Sequence, residues 1–406
     1  MSKKLLRICH KFLVDSDGYE VGIQDLVTAL SKNFDSYVMF FIPENQLSNY
    51  VKKNELTKKG KYFYHKKTNC TIVPIIYERK NNVYVNDLFM RKNIASFKRQ
   101  FNNLFNDISP DIVHIHGTLA PQFLHAAKHA KEAGKKVFAT HHIGLINRNC
   151  HNQRWYIVFA KFFIHNQFPS ICDKVLCLSH HGKDSFMNRQ NVIVDYGAKP
   201  VKKVNYSMNK INALLNKHRL SDGLINLKEK EYLVYPARYN DQKNQLMLVE
   251  AAKILKAQGL KIKILCIGSI FDKDYFVSVQ RKIKHHKLSR EIILVNKLSH
   301  DEVLAVVNKA EFMISPSINE GLGRSSLEAL SLGVPILVSR DSGHMEYLVW
   351  GINGLHFNPR NKKSIAEAIK HAKKMKVFHM DHEIRPYSEH IAFLKRLYNK
   401  NLLEVK

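Results

Sequence analysis

The feature that most constrains this chain is an alternation of short apolar runs with longer stretches of helical period, which plays out once and then starts again. In the first half the runs are "LLRICHKF", "DSYVMFFIP", "CTIVPIIY", "DIVHIHG", "KVFATHH", "DKVLCLS" and "NVIVDYG". Helix-period stretches lie between them at Ile23 to Asn33 (after a turn at Gly18), Asp87 to Phe105, Pro121 to Ala133 and Trp155 to Asn166. The second half repeats the scheme with "YLVYPAR", "KIKILCIGS", "EIILVNKL", "EFMISPS", "VPILVSR" and "GLHFNP". Strands apolar throughout, each followed by a helix, are what a parallel sheet covered on both faces requires. The fold class is therefore α/β, and 406 residues exceed what one core organises. We expect a Rossmann-like domain over 1–199, a polar, lysine-rich connection over 200–230 and a second such domain over 231–375. A terminal segment, 376–406, with Ile391, Leu394, Leu397, Tyr398 and Leu402 at helical spacing, is expected to pack back on the first domain.

Lys and Arg number 64 against 35 acidic residues, a formal net charge of +29. Such an excess implies anionic company: nucleic acid, an anionic membrane face or a phosphorylated substrate. Composition contributes too, since stretches such as "KKNELTKKGKYFYHKKTNC" are rich in Lys and Asn together. The six cysteines form no CxxC pair and sit mostly in apolar runs, which reads as buried reduced thiols rather than a zinc site. No apolar run reaches eighteen residues, and the first short one soon meets Asp15 and Asp17. The expectation is a cytoplasmic protein without a transmembrane span or signal peptide.

The chemistry concentrates in "SINEGLGRSSLEALSLG", Ser317 to Gly333. A buried strand precedes it, a glycine turn opens it, and a helix follows that ends at Gly333 before Pro335. Glu320, Gly321, Leu322, Gly323, Arg324 and Ser325 thus fall at the carboxyl end of a strand and the start of a helix, where open α/β sheets bind ligands. Free N–H groups there attract phosphate, and glycines let the main chain approach it. "GLGRSS" ends in Ser326 where a dinucleotide fingerprint needs a third glycine, so it does not point to NAD. Eight helical steps would separate Glu320 and Glu328 by about 12 Å. A glycosidase pair needs carboxyls roughly 5 to 9.5 Å apart, so these two more naturally grip separate polyols on either side of a phosphate.

The string "SPSINEGLGRSSLEALSLGVPILVS" resembles the signature of retaining glycosyltransferases of family 4, which have the GT-B architecture, two Rossmann-like domains with parallel sheets facing across a cleft. The resemblance assigns Glu320 to the donor sugar, Glu328 to the nucleotide ribose, and the turn from Gly321 to Ser325 to the diphosphate. "RYNDQK" resembles the family segment in which an Arg and a Lys five positions on clamp the phosphates, here Arg238 and Lys243. "HIHG" resembles the strand whose second histidine lies near the reacting carbon, here His116, and "ATHHIG" makes His141 a candidate on the acceptor side. Gly18 keeps one glycine of the family's N-terminal Gly-Gly turn, with Asp17 in place of the other. "SGHMEYLVWGINGL" resembles a loop beside the donor sugar and keeps its glutamate as Glu346. The likeness is strong over 232–358 and looser over 1–198.

The resemblance implies a transferase that moves a sugar with retention from a nucleotide-diphosphate sugar, UDP- or GDP-linked, to a glycan or lipid-linked acceptor in cell-surface polysaccharide or glycolipid synthesis. That donor is a co-substrate; no cofactor and no metal are expected, and "DKD" at Asp272 to Asp274 is read as chance. The basic stretches Lys52 to Lys67 and Arg91 to Arg99 suggest peripheral contact with an anionic membrane at its inner face. Two rivals stay open on sequence: a nucleotide-sugar epimerase of the same architecture, and a basic nucleic-acid binder, for which no motif is visible.

Overall fold

The computed structural model describes residues 2–13, 18–78, 91–142, 155–375 and 384–399; Asp15, Asp17 and Cys150 lie outside them. Contacts divide the chain into two compact units, Met1–Tyr196 with Ser388–Lys406, and Gly197–Tyr387.

The first unit is built on β1 (Lys4–Cys9), β2 (Asp35–Pro43), β3 (Thr57–Lys59), β4 (Tyr62–His65), β5 (Cys70–Tyr77), β6 (Ile112–His116), β7 (Lys136–His141), β8 (Lys174–Cys177) and β9 (Val192–Val194). Among the described residues they form one sheet in the order β3-β4-β5-β2-β1-β6-β7-β8-β9. All neighbours pair in parallel except the β3–β4 and β4–β5 pairs. Side chains alternate between two cores, because successive residues of a strand point to opposite faces. Leu6, Ile8, Met39 and Phe41 pack with Phe97, Phe101 and Phe105 of the helix Arg91–Ile108 on one face. Cys9, Val38, Phe40 and Ile42 pack with Ile23 and Val27 on the other. Burial on both faces is why these strands read as unbroken apolar runs. The chain leaves β1 toward β2 on one side and returns through β6 on the other, so the loops after β1 and β6 diverge at a switch in strand order.

The second unit has β10 (Leu233–Pro236), β11 (Ile264–Ile267), β12 (Ile292–Val295), β13 (Phe312–Ser315), β14 (Ile336–Ser339) and β15 (Gly354–Phe357), in the order β12-β11-β10-β13-β14-β15, all parallel. Its switch lies between β10 and β13.

Several local features differ from the sequence reading. The first helix begins at Gly18, not Ile23, so the expected turn is already helical; Gly22 weakens that stretch but no proline interrupts it, and Glu20 is buried within it. The basic stretch after Lys53 holds the β3–β4 hairpin, which is hard to see because Thr57, Lys58 and Lys59 are all exposed and carry no burial pattern. Residues 200–230 contain the helix Met208–Lys217, capped by Ser207, with Ile211 and Leu215 buried. The amides of Asn212 and Asn216 bond the main chain of Leu227 and Ile225, tying the rest of that stretch to this helix. Asp272 of "DKD" caps the helix Lys273–His285, accepting from the Tyr275 N–H at 3.0 Å. The terminal helix Tyr387–Asn399 buries Ile391, Leu394, Leu397 and Tyr398. It is fastened within the first unit by His390 to Asp195 and Tyr398 to His114. No helix among the described residues is long and apolar enough to cross a membrane.

Candidate functional site

In the second unit, the loops leaving β10 and β13 at the switch carry most of the charged candidates. Lys243 ends a short helical turn, Asp241–Lys243, capped by Asn240. Asn244, in the left-handed region at φ 58°, then redirects the chain into the helix Gln245–Ala257. The Asn244 side chain donates to Pro316 O at 3.1 Å and Pro359 O at 2.9 Å, lashing this turn to the ends of β13 and β15. Tyr235 in β10 bonds Lys243 O at 2.7 Å and Ser317 Oγ at 2.7 Å. The β10 and β13 loops are thereby held as one piece, and Lys243 Nζ forms an ion pair with Glu320.

Both side chains of that pair are largely enclosed, at 18% and 15% exposure. Burial alone would raise the Glu320 carboxyl. Lys243, then His344, and hydrogen bonds from Lys243 and Ser317 outweigh it and hold the carboxyl below its usual range. Glu320 is ionised at neutral pH.

From Glu320 the chain turns through Gly321 and Leu322 to Gly323, at φ 71°, which precedes the helix Arg324–Ser331. The loop after β14 braces this turn. Gly343 N donates to Glu320 O at 2.9 Å, and Tyr347 Oη bonds the carbonyls of Leu322 and Gly323 at 2.7 and 2.9 Å. The His344 ring lies so close beneath Gly323 that an added Cβ would stand 2.1 Å from its Nε2. Burial, opposed by Glu320 and reinforced by Lys243, lowers the His344 imidazole to about 4. The turn is braced and glycine-dependent, and it leads into the helix whose first residues are Arg324 and Ser325.

The remaining candidates of this unit are spread around the turn. Arg238 lies half-buried after β10 with its guanidinium 4.8 Å from the Phe271 ring. Gly268, after β11, stands against Ala237, where a Cβ would meet Ala237 O at 2.1 Å. Glu328 projects from the helix, with its carboxylate 3.8 Å from His300 Nε2. Glu346 closes the short turn Gly343–Glu346 after β14. The structure thus joins Lys243 to Glu320 directly.

In the first unit, the carboxyl edge of the sheet carries histidines. His116 ends β6, fully buried, its Nδ1 3.1 Å from His142 Nε2 and its ring stacked on His114 at 4.4 Å. Tyr19 donates to His116 O at 2.7 Å and meets the His142 ring edge to face. Gly18 is the first residue of the helix that carries Tyr19. His141 bonds Thr118 Oγ1 at 2.8 Å, and the same hydroxyl reaches His165 at 2.7 Å. Burial first, then neighbouring imidazoles, with Arg7 adding to them at His116, hold His116 well below its ordinary range and His142 at about 3. Both are neutral.

Sequence reasoning missed the supports: Asn244, Ser317, Tyr235, Tyr347, Tyr19 and His142. Only "KNQ", an Asn between a turn and a helix, carries a local signal; the others act through neighbours distant in sequence. Among the described residues no group of three or more His, Cys, Asp or Glu is arranged to hold a metal ion.

Residues 218–390 match the family described as Glycosyl transferases group 1. An O-antigen chain mannosyltransferase of Salmonella typhimurium is 27% identical over 205 residues, which cover 50% of this chain and 52% of that protein. The chain therefore spans about half the length of this relative. A putative glycosyltransferase of Bacillus subtilis is 23% identical over 291 residues, 70% of this chain and 72% of its own. Among solved structures, a glycosyltransferase from Rickettsia africae superposes with a TM-score of 0.69 at 16% identity, covering 100% of both chains. The Anabaena protein HepE, solved with UDP-glucose, gives 0.66 at 14% identity over 97% of this chain and 95% of its own.

Proposed function

Since the chain carries a Glycosyl transferases group 1 domain on a GT-B fold, we propose that it is a retaining glycosyltransferase using a nucleotide-diphosphate sugar, in the synthesis of a surface polysaccharide or glycolipid. The observation that carries the reading is the convergence of Lys243, Glu320 and the braced turn to Gly323 at the β10/β13 switch. It offers a cation and the positive dipole end of a helix for a diphosphate, beside a carboxylate suited to sugar hydroxyls. Relatives named for mannosyl transfer and a fold neighbour solved with UDP-glucose support a UDP- or GDP-sugar.

In the reaction, the bond from the anomeric carbon to the diphosphate oxygen breaks while the acceptor oxygen bonds the same face of that carbon. The acceptor proton passes to the departing diphosphate. Arg238 and Lys243 neutralise the charge that develops there, Glu320 and Glu346 hold the donor sugar, and Glu328 holds the ribose. Gly18 allows close approach of the first helix, His116 presents a neutral imidazole to hydroxyls on the acceptor side, and His141 lies on that side too. The exposed lysines of the hairpin within Lys52 to Lys67, where Lys59 and Lys61 lie over Tyr64 and Tyr62, support peripheral attachment to anionic lipid on the cytoplasmic face. Binding to anionic vesicles that is indifferent to salt would reject that attachment.

The test is a thermal-shift screen of UDP-, GDP- and ADP-sugars on the wild type and Arg238→Ala. One nucleotide sugar should stabilise the wild type, and the variant should lose most of that gain. No stabilisation by any of them would count against the reading.

A further inference from the structure

The second unit shows two things that a diphosphate site must resolve. Lys243, the cation assigned to the phosphates, is already paired with Glu320, the carboxylate assigned to the sugar. Beside them His344, 1% exposed, has an Nε2 with no hydrogen-bond partner.

The protonation of that ring can be read from its neighbours. Ser342 Oγ donates its single proton to Ser339 O at 2.8 Å. The contact between Ser342 Oγ and His344 Nδ1 must then carry the imidazole's proton, so Nδ1 is the donor. A neutral ring has no second proton, and Nε2 is a bare lone pair. A buried acceptor left unpaired is destabilising, so Nε2 is an unsatisfied proton-binding position.

The charged and titratable groups around the ring are few. From the β13 loop Glu320 favours the imidazolium, and from the β10 loop Lys243 opposes it. Tyr347 meets the ring at 6.2 Å, and Asp341 and Glu346 lie on the ring's own segment. A diphosphate that draws Lys243 away removes the opposing charge, leaves Glu320 without its partner and adds anions of its own. All three changes push a proton onto Nε2.

We propose that His344 takes up a proton when a nucleoside diphosphate binds, replacing Lys243 as the positive neighbour of Glu320 and releasing Lys243 to the phosphates. The proposal rests on the reading of Lys243 as a phosphate clamp. No covalent step is involved: the proton comes from solvent, and Lys243 exchanges one anionic partner for another.

The experiment is calorimetric titration of the full chain with UDP, GDP and ADP at pH 6, in two buffers of different ionisation enthalpy. The nucleotide that binds should take up a substantial fraction of one proton, read from the change in heat between buffers. His344→Gln and Glu320→Gln should each reduce that uptake to near zero. Ring ¹⁵N shifts of the ligand-free wild type, which depend on no variant folding, should show His344 protonated at Nδ1. Buffer-independent heats, uptake that persists in His344→Gln, or a ring protonated at Nε2 would each overturn the proposal while leaving the glycosyltransferase reading intact. No binding by any of the three nucleotides, with no response to their sugars, would instead remove that reading, and the proposal with it.

Discussion

The carboxyl edges of the two sheets are built at equivalent places, each at a switch in strand order, yet they solve opposite problems. The edge of the first unit gathers His10, His116, His141 and His142; burial first, then neighbouring lysines for His10 and chiefly neighbouring imidazoles for His116 and His142, keeps those three rings off the charged state. The edge of the second unit keeps full charges, Lys243 against Glu320, partly enclosed and braced by the β14 loop. Charge is tolerated there because a partner and converging hydrogen bonds offset desolvation; without them, burial drives a group to neutrality. On the function proposed above, this difference would match a phosphate-bearing donor on the second unit and a hydroxyl-bearing acceptor on the first.

The largest expected effect that tests this contrast is on acidification. His10, His142 and His165 have folded values of about 3, 3 and 2, against an ordinary 6.5. Above pH 6.5 they are neutral whether folded or unfolded, and their burial carries no proton-linked penalty. As pH falls below 6.5 the unfolded chain binds protons that the folded unit refuses, so stability drops by up to about 1.4 kcal/mol per pH unit for each ring. Hydrogen exchange between pH 6 and pH 4 should show the first unit opening before the second. The reverse order would break the comparison.

Lys243→Ala should come next. It strands Glu320 and, on the proposed function, removes a cation from the leaving group, so kcat/KM should fall by roughly 10²–10³-fold, a loss typical of one electrostatic stabiliser. The readout is steady-state transfer with the nucleotide sugar found in the thermal screen.

Gly323→Ala tests the brace. Its φ of 71° and the 2.1 Å approach of His344 to an added Cβ should together cost roughly 1–3 kcal/mol. Denaturant unfolding would register the loss, and nucleotide-induced stabilisation should vanish. Phe271→Ala is expected to do least. Phe271 is 66% exposed, and losing its contact with Arg238 should weaken donor binding by about 0.5–1 kcal/mol, seen in KM rather than kcat.

Much of this was legible in the linear chain. Runs such as "DSYVMFFIP" and "KVFATHH" became β2 and β7 because a strand buried on both faces needs apolar residues at every position. The span from Arg238 to Lys243 and the turn from Glu320 to Gly323 were readable because each is local, set by one strand end and one helix start. The β3–β4 hairpin was not, since exposed lysines mask its period. Nor was the helix Met208–Lys217, whose buried face amounts to Ile211 and Leu215 within a polar stretch.

By itself, then, the sequence determined two parallel α/β units and the residue types at each strand end, because periodicity and turn chemistry act within a few residues. Only the tertiary structure decided which strand ends are neighbours. Strand order placed β10 beside β13, and so set Lys243 against Glu320 across 77 positions of sequence. The same packing put His142 on His116 and His344 beneath Gly323. Protonation states follow from those contacts, since burial and the nearest partner, not residue type, fix where each proton rests.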